Sequence, residues 1–172
     1  MTAAARDRLL VLLRHARAEL SGSDRDRGLT VDGYADAQAV GAWLREQGIG
    51  IDEVLCSTAT RTRQTAEGVW EGGCAQGEVH FDERIYNGSV DTLLQVVREA
   101  DEDADVVMLI GHAPGVPALA SLLADGDGSH QAHELLSQGF PTTGIAVLRY
   151  PGSWADLAYD GAALERFHVC RG

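Results

Sequence analysis

Residues 9–19 read LLVLLRHARAE, and this stretch decides how the rest of the chain is read. The apolar run Leu9–Leu13 is too short for a buried helix and too continuous for a strand with one wet face. A strand covered on both faces fits it, and such strands belong to parallel sheets flanked by helices. The run ends abruptly in a guanidinium and an imidazole, Arg14 and His15. Two polar groups at the tip of so apolar a strand call for an explanation beyond packing.

Working outward, short apolar runs alternate with longer amphipathic ones. That alternation predicts an α/β domain of three layers, α/β/α, around a mostly parallel central sheet. The stretch from Leu29 to Gly48 reads as a helix with Thr30 as N-cap. Tyr34, Ala37, Gly41 and Leu44 share one face, and Gly48 closes the helix. A strand at Glu53–Ser57 and a helix over TRTRQTAEGVW follow, the helix stopped by Gly72-Gly73. EVHFD reads as a strand. SVDTLLQVVREA reads as a helix capped by Ser89, with Leu93, Leu94 and Val97 inward. DVVMLIG, residues 105–111, is the clearest strand, and PGVPALASLLA is a helix with Pro114 near its start. DGDGSHQAHELLSQG reads as irregular or weakly helical, and TTGIAVLRY and ALERFHVC as closing strands. No repeat, low-complexity tract or linker divides the chain, so residues 1–172 are read as one domain.

The charge balance narrows the function. A formal net charge of −12 opposes binding to nucleic acid or an anionic membrane. All 14 basic residues are arginine, in keeping with a composition also rich in Ala and Gly. An anionic ligand would therefore need a few local arginines to hold it against the overall field. No apolar run approaches the ~18 residues of a membrane span, and the opening MTAAARDR lacks a signal-peptide pattern, so a cytoplasmic location is expected. Cys56, Cys74 and Cys170, without CxxC spacing, read as reduced structural thiols.

Three predicted strands end in residues suited to anion chemistry. LLVLL runs into Arg14-His15, EVLCS into TATRTR with Arg61, and VVMLIG into His112. In open α/β sheets, ligands sit beyond the carboxyl ends of the strands. If the three strands are parallel neighbours, Arg14, His15, Arg61 and His112 converge, with helix N-termini adding N–H groups. No GxSxG elbow, Walker loop or GxGxxG competes with that reading. A neutral imidazole can attack phosphorus, while arginine forks match phosphate oxygens and keep their charge. The residue set suits phosphoryl transfer with no metal and no cofactor.

The same segments resemble a known family. LLRHARAE resembles the R-H-G signature of the histidine phosphatase superfamily, also called phosphoglycerate mutase-like. STATRTRQTA resembles its S-x-x-x-R-x-x-Q-T-A segment, IGHAPG its G-H-x-P-G segment, and RGLTVDGYADAQAVGAWL its R-x-L-T-x-x-G-x-x-Q-A helix. The order agrees, and the similarity runs from Leu9 to about Tyr150. The resemblance implies a phosphoglycerate mutase-like fold, His15 as phosphorylated nucleophile, and Arg14, Arg61, His112 and the backbone at Ala113 as phosphate-binding groups. It also implies a general acid at Glu83, within DERIY; an Arg-paired surface carboxylate is the alternative for that residue.

Ala16 stands where most of the superfamily has glycine, and R-H-A is the form of the SixA-like branch, the phosphohistidine phosphatases. Only Asn87–Asp103, essentially one helix, separates DERIY from the next strand. Mutases and sugar bisphosphatases of the superfamily carry a longer cover there. A short cover leaves a cleft open to a side chain of another protein, and a labile P–N bond needs little acid assistance. The expected partner is a phosphohistidine-bearing protein. A small phosphomonoester, such as a sugar phosphate or nucleotide, is the alternative substrate, and a non-catalytic phosphate-binding module the alternative of another class. Oligomeric state is not legible.

Weaker signals have plainer readings. His130, His133 and Glu134 read as a solvated face, His80 and His168 as structural, Arg63 as helix surface and Trp154 as packing. Ser57 is placed to bond a site residue, and Thr142-Thr143 to line the rim.

Overall fold

A computed structural model describes residues 7–172; of the opening MTAAARDR stretch, residues 1–6 lie outside the described residues. The sheet has seven strands. In chain order they are β1 (Arg8–Arg14), β2 (Ile51–Cys56), β3 (Gln76–Phe81), β4 (Val106–Gly111), β5 (Ala124–Gly128), β6 (Gly144–Tyr150) and β7 (Ala162–Val169). The helices are α1 (Val31–Glu46), α2 (Thr60–Glu71), α3 (Arg84–Asn87), α4 (Val90–Arg98), α5 (Gly115–Leu123) and α6 (His130–Gln138). Spatial order is β3-β2-β4-β1-β6-β7-β5. The pairs β3/β2, β2/β4, β4/β1 and β5/β7 are parallel; β1/β6 and β6/β7 are antiparallel.

The continuous apolar run has the cause its pattern implies. Leu10 and Leu12 join Val107 and Leu109 beneath α4 and α5, packed against Leu93, Leu94, Leu119 and Leu123. Val11 and Leu13 join Met108 and Ile110 on the opposite face, against Val40 and Leu44 of α1 and Val69 of α2. Alternate residues of one strand thus feed two cores, and the three-layer α/β/α expectation holds. Each such leucine contributes roughly 1.5–3 kcal/mol by burial. Trp154 is fully buried, its indole N–H donating to the Ala104 carbonyl at 2.9 Å.

The helix starts follow their local sequence. The Thr30 hydroxyl accepts from Gly33 N at 2.9 Å and the Ser89 hydroxyl from Thr92 N at 3.2 Å. Gly33 lets α1 approach the β1–α1 loop, since a Cβ there would stand 2.1 Å from the Arg17 carbonyl oxygen. Among the described residues, no helix is long and apolar enough to cross a membrane.

One region departs from expectation. Residues 124–138 form an edge strand, β5, and a regular helix, α6, rather than an irregular stretch. The strand is hard to read because its sequence is ADGDG. It pairs with β7 only at Ala124↔Ala162 and Gly128↔Leu164, with a shift of register between. Gly128, at φ 98°, lies so close to β7 that a Cβ would meet the Leu164 carbonyl oxygen at 2.2 Å. In α6 the Ser129 hydroxyl accepts from Ala132 N at 3.1 Å, a cap that a weak apolar pattern hides. A second, smaller difference is that β6 opens at Gly144, because Thr143 turns into the left-handed region at φ 54°.

Candidate active site

The strands β1, β2 and β4 are parallel neighbours with their carboxyl ends level. Arg14 is in register with Gly111, and Cys56 with Ile110. The ladder continues one residue further: His15 N donates to the Gly111 carbonyl at 3.0 Å and Ser57 N to the Ile110 carbonyl at 3.1 Å. His15, Ser57 and His112 therefore leave the sheet side by side. Arg14, His15, Arg61, His112 and Ala113 all line one cavity of about 880 Å³.

His15 is held in a defined tautomer. Its Nδ1 lies 2.7 Å from the Ala16 carbonyl oxygen, which can only accept, so Nδ1 carries the proton and Nε2 keeps its lone pair. Desolvation chiefly, with the charges of Arg61 and Arg14 adding, lowers the ring's pKa to about 4 against the opposing bond to Ala16. The imidazole is neutral at pH 7. Ala16 N donates in turn to the Thr65 hydroxyl at 3.0 Å, which donates to the Arg61 carbonyl at 2.7 Å. The Ala16 methyl is buried among Leu29 and Ala37, giving this position a packing role that glycine lacks.

His112 faces His15, ring centroids 5.3 Å apart. Its Nε2 lies 2.7 Å from the Ser57 hydroxyl, whose oxygen also accepts from Ala59 N at 3.3 Å. With that amide donating to it, the hydroxyl can give its own proton to Nε2, which puts the ring proton on Nδ1. Burial first, then the charge of Arg61, pushes the His112 pKa down to about 3. The edge of Tyr86 packs against this ring at 5.6 Å and 88°.

The two arginines are partly engaged. Arg14 Nη1 donates to the Phe140 carbonyl at 3.0 Å, and burial lowers the pKa of its guanidinium. Arg61, in the first turn of α2, donates to the Asp24 carbonyl at 2.6 Å and meets the Asp24 carboxylate at 3.3 Å. Among the described residues five buried side-chain N or O atoms lack a partner, and three of them belong here: Arg14 Nε, Arg61 Nε and His112 Nδ1. Buried polar groups without partners are rare. Two are guanidinium N–H donors, and the third, His112 Nδ1, donates in the tautomer whose Nε2 accepts from the Ser57 hydroxyl; all three belong to residues lining the cavity that also holds His15. Such a set matches the oxygens of a tetrahedral anion.

Other expectations sort as follows. Glu83 precedes α3 and is exposed, with its carboxylate 2.7 Å from Arg25, whose guanidinium lies over the Tyr86 ring. Ser57 does bond a site residue, and Thr142 lines the cavity. Thr143 N braces the β1 tip by donating to the Arg14 and His15 carbonyls. Arg63 donates to the Thr58 carbonyl and stacks on Phe81 at 4.4 Å, a surface role as read. His168 stacks on Trp43.

Sequence reasoning missed Asp24, Tyr86 and Thr65. The Asp24 carboxylate binds Arg27 at 2.8 Å, Arg61 and the Tyr86 hydroxyl. The Tyr86 hydroxyl above all, and Arg27, hold it well below the usual carboxylate range. The alternating charges of Asp24-Arg25-Asp26-Arg27 were the available signal, overlooked inside a polar loop.

Comparison with known proteins shows the family of the chain. The model of the histidine phosphatase superfamily (branch 1) matches residues 10–104, and the chain belongs to that superfamily. Within it, the chain is a phosphatase of the SixA-like branch. An uncharacterized protein of Mycobacterium tuberculosis is 38% identical over 92% of this chain and 100% of its own length. The provisionally named phosphohistidine phosphatase SixA of Nakamurella multipartitia is 40% identical, with a TM-score of 0.85 over 98% of this chain and 99% of its own. The protein histidine phosphatase SixA solved with tungstate shares the fold at 22% identity, with a TM-score of 0.77 over 94% and 96% of the two chains.

Proposed function

We propose that this chain hydrolyses phosphohistidine on a protein substrate through a phosphorylated His15. The observation that carries the reading is the set of three buried, unpartnered nitrogens of Arg14, Arg61 and His112 in the cavity that holds His15, whose Nδ1 faces the Ala16 carbonyl. Arg14, Arg61 and His112 bind the phosphoryl oxygens, with the Ala113 backbone beside them. The lone pair of His15 Nε2 attacks phosphorus in line; a P–Nε2 bond forms while the bond to the leaving group breaks and its electron pair departs with that group. A substrate imidazole protonated on its other nitrogen leaves neutral and needs no acid. Water then adds to phosphorus, the P–Nε2 bond breaks, Nε2 regains its lone pair, and both protons of the water leave with the product as dihydrogen phosphate. The arginines supply the charge stabilisation that a metal gives elsewhere.

A small phosphomonoester is the second reading. Its support is Glu83, an exposed carboxylate paired with Arg25, whose guanidinium lies over Tyr86 next to His112; a carboxyl group there would serve an oxygen leaving group that needs a proton. Labelling with a phosphorylated substrate and quenching in alkali tests the nucleophile, and the effect of Glu83→Gln on P–N against ester substrates separates the readings. An acid-labile, alkali-stable phosphoenzyme is expected, absent in His15→Ala; label surviving in that variant removes His15 from the role. Glu83→Gln should leave P–N substrates within about twofold of the parent, whereas a loss of ~10²-fold confined to esters, with esters preferred, would favour the second reading.

A further inference from the structure

His112 and Ala113 form a wall shared by two cavities of unlike character. The larger is strongly charged, with Arg14, Arg17, Arg27 and Arg61 beside the carboxylates of Glu19, Asp24 and Asp32. The smaller, about 360 Å³, runs between α3–α4 and the start of α5, against Ile85, Tyr86, Val90, Leu93, Pro114 and Ala118. No aspartate, glutamate or arginine lines it, and His112 is neutral there. Its other polar side chains are mostly spent: the Tyr86 hydroxyl on Asp24 and the Ser89 hydroxyl on Thr92 N, leaving Asn87. A hydroxyl-rich or anionic group entering this space would give up water for few partners, while the faces of a flat ring would lose little and gain contact. Tyr86, edge-on to His112, adds an aromatic wall of the kind such a ring packs against.

We infer that this smaller cavity is the leaving-group subsite and that it selects a planar ring over hydroxyl-rich or anionic leaving groups, the imidazole of a phosphohistidine side chain being the fitting case. The inference rests on the phosphatase reading above. It makes the phosphoryl group an occupant of the arginine-lined cavity and the ring an occupant of its neighbour, with phosphorus at the shared wall. Substrate choice then comes from α3, α4 and α5 rather than from the phosphate-binding residues.

Non-hydrolysable phosphonates separate the two cavities without any need for turnover. Calorimetry with methylphosphonate, 2-hydroxyethylphosphonate and phenylphosphonate should give phenylphosphonate about tenfold tighter than the other two. Val90→Asp and Ala118→Leu should each reduce that advantage to about twofold or less. Val90 is the first residue of α4, where an aspartate suits the helix N-terminus. Ala118→Leu narrows the cavity without adding charge, and its affinity for methylphosphonate should stay at the parent value. Equal binding of the three phosphonates by the parent, or an undiminished phenyl preference in Ala118→Leu, would overturn the subsite while leaving the phosphate site standing. No binding of methylphosphonate would overturn the phosphate site and the subsite together.

Discussion

The middle of the sheet and its β5 edge are built differently. At β2-β4-β1 the strands are parallel, buried on both faces and level at their tips; at β7-β5 the pairing is short, shifted in register and mostly exposed. In the middle, backbone hydrogen bonds to β4 hold His15 and Ser57 beside His112. The edge tolerates ADGDG because none of the proposed site residues stands on it. The proposed site, two imidazoles and two guanidinium groups around one anion, needs the stiff region, where each tip is anchored from two sides.

That contrast can be broken from either side. The largest expected effect is on stability: Leu12→Ala, at a fully buried position shared by both neighbours of β1, should cost ~2–5 kcal/mol in denaturant unfolding. Asp125→Ala, on the exposed edge strand, should stay within about 0.5 kcal/mol by the same measurement. Equal losses would mean that the middle and the β5 edge are equally ordered. Arg61→Ala should lower kcat by ~10²–10³, about 3–4 kcal/mol of transition-state stabilisation, with the fold retained by circular dichroism. A change below tenfold would place Arg61 outside the phosphoryl site.

The buried histidines sharpen the contrast through pH. The folded pKa values of His15 and His112, about 4 and about 3, lie below the unfolded value, so the unfolded chain binds more protons between those values and ~6.5. Stability is full above that window and is lost as pH falls through it, by up to about 2 kcal/mol per histidine at pH 5. A His15→Asn, His112→Asn double variant should therefore lose less thermal stability between pH 7 and pH 5 than its parent. Parallel pH profiles would show that neither imidazole is desolvated as described.

Much of this was legible from the chain alone because it depends on patterns of a few residues. The apolar run before Arg14 announces a two-faced strand, and three such runs ending in Arg, His or Ser announce a common edge. What was not legible depends on residues meeting across the fold. The His15 tautomer is set by the neighbouring Ala16 carbonyl, which only the turn after β1 brings within reach. The Ser57–His112 bond needs β2 and β4 in register, 55 residues apart. Asp24 reaches Arg61 and Tyr86 from a loop whose charges looked merely solvated. The strand β5 and helix α6 escaped notice because glycine and aspartate dominate one and a single buried residue, Ala132, anchors the other.

The central claim is that one tetrahedral phosphoryl group is gripped by donors from three strand tips with His15 poised behind it. A crystal structure with bound vanadate measures this most directly. The metal centre should stand in line with His15 Nε2, and its oxygens within hydrogen-bond distance of Arg14, Arg61 and His112 Nδ1. Vanadate bound elsewhere, or held by the arginines with His15 Nε2 turned away, would contradict it.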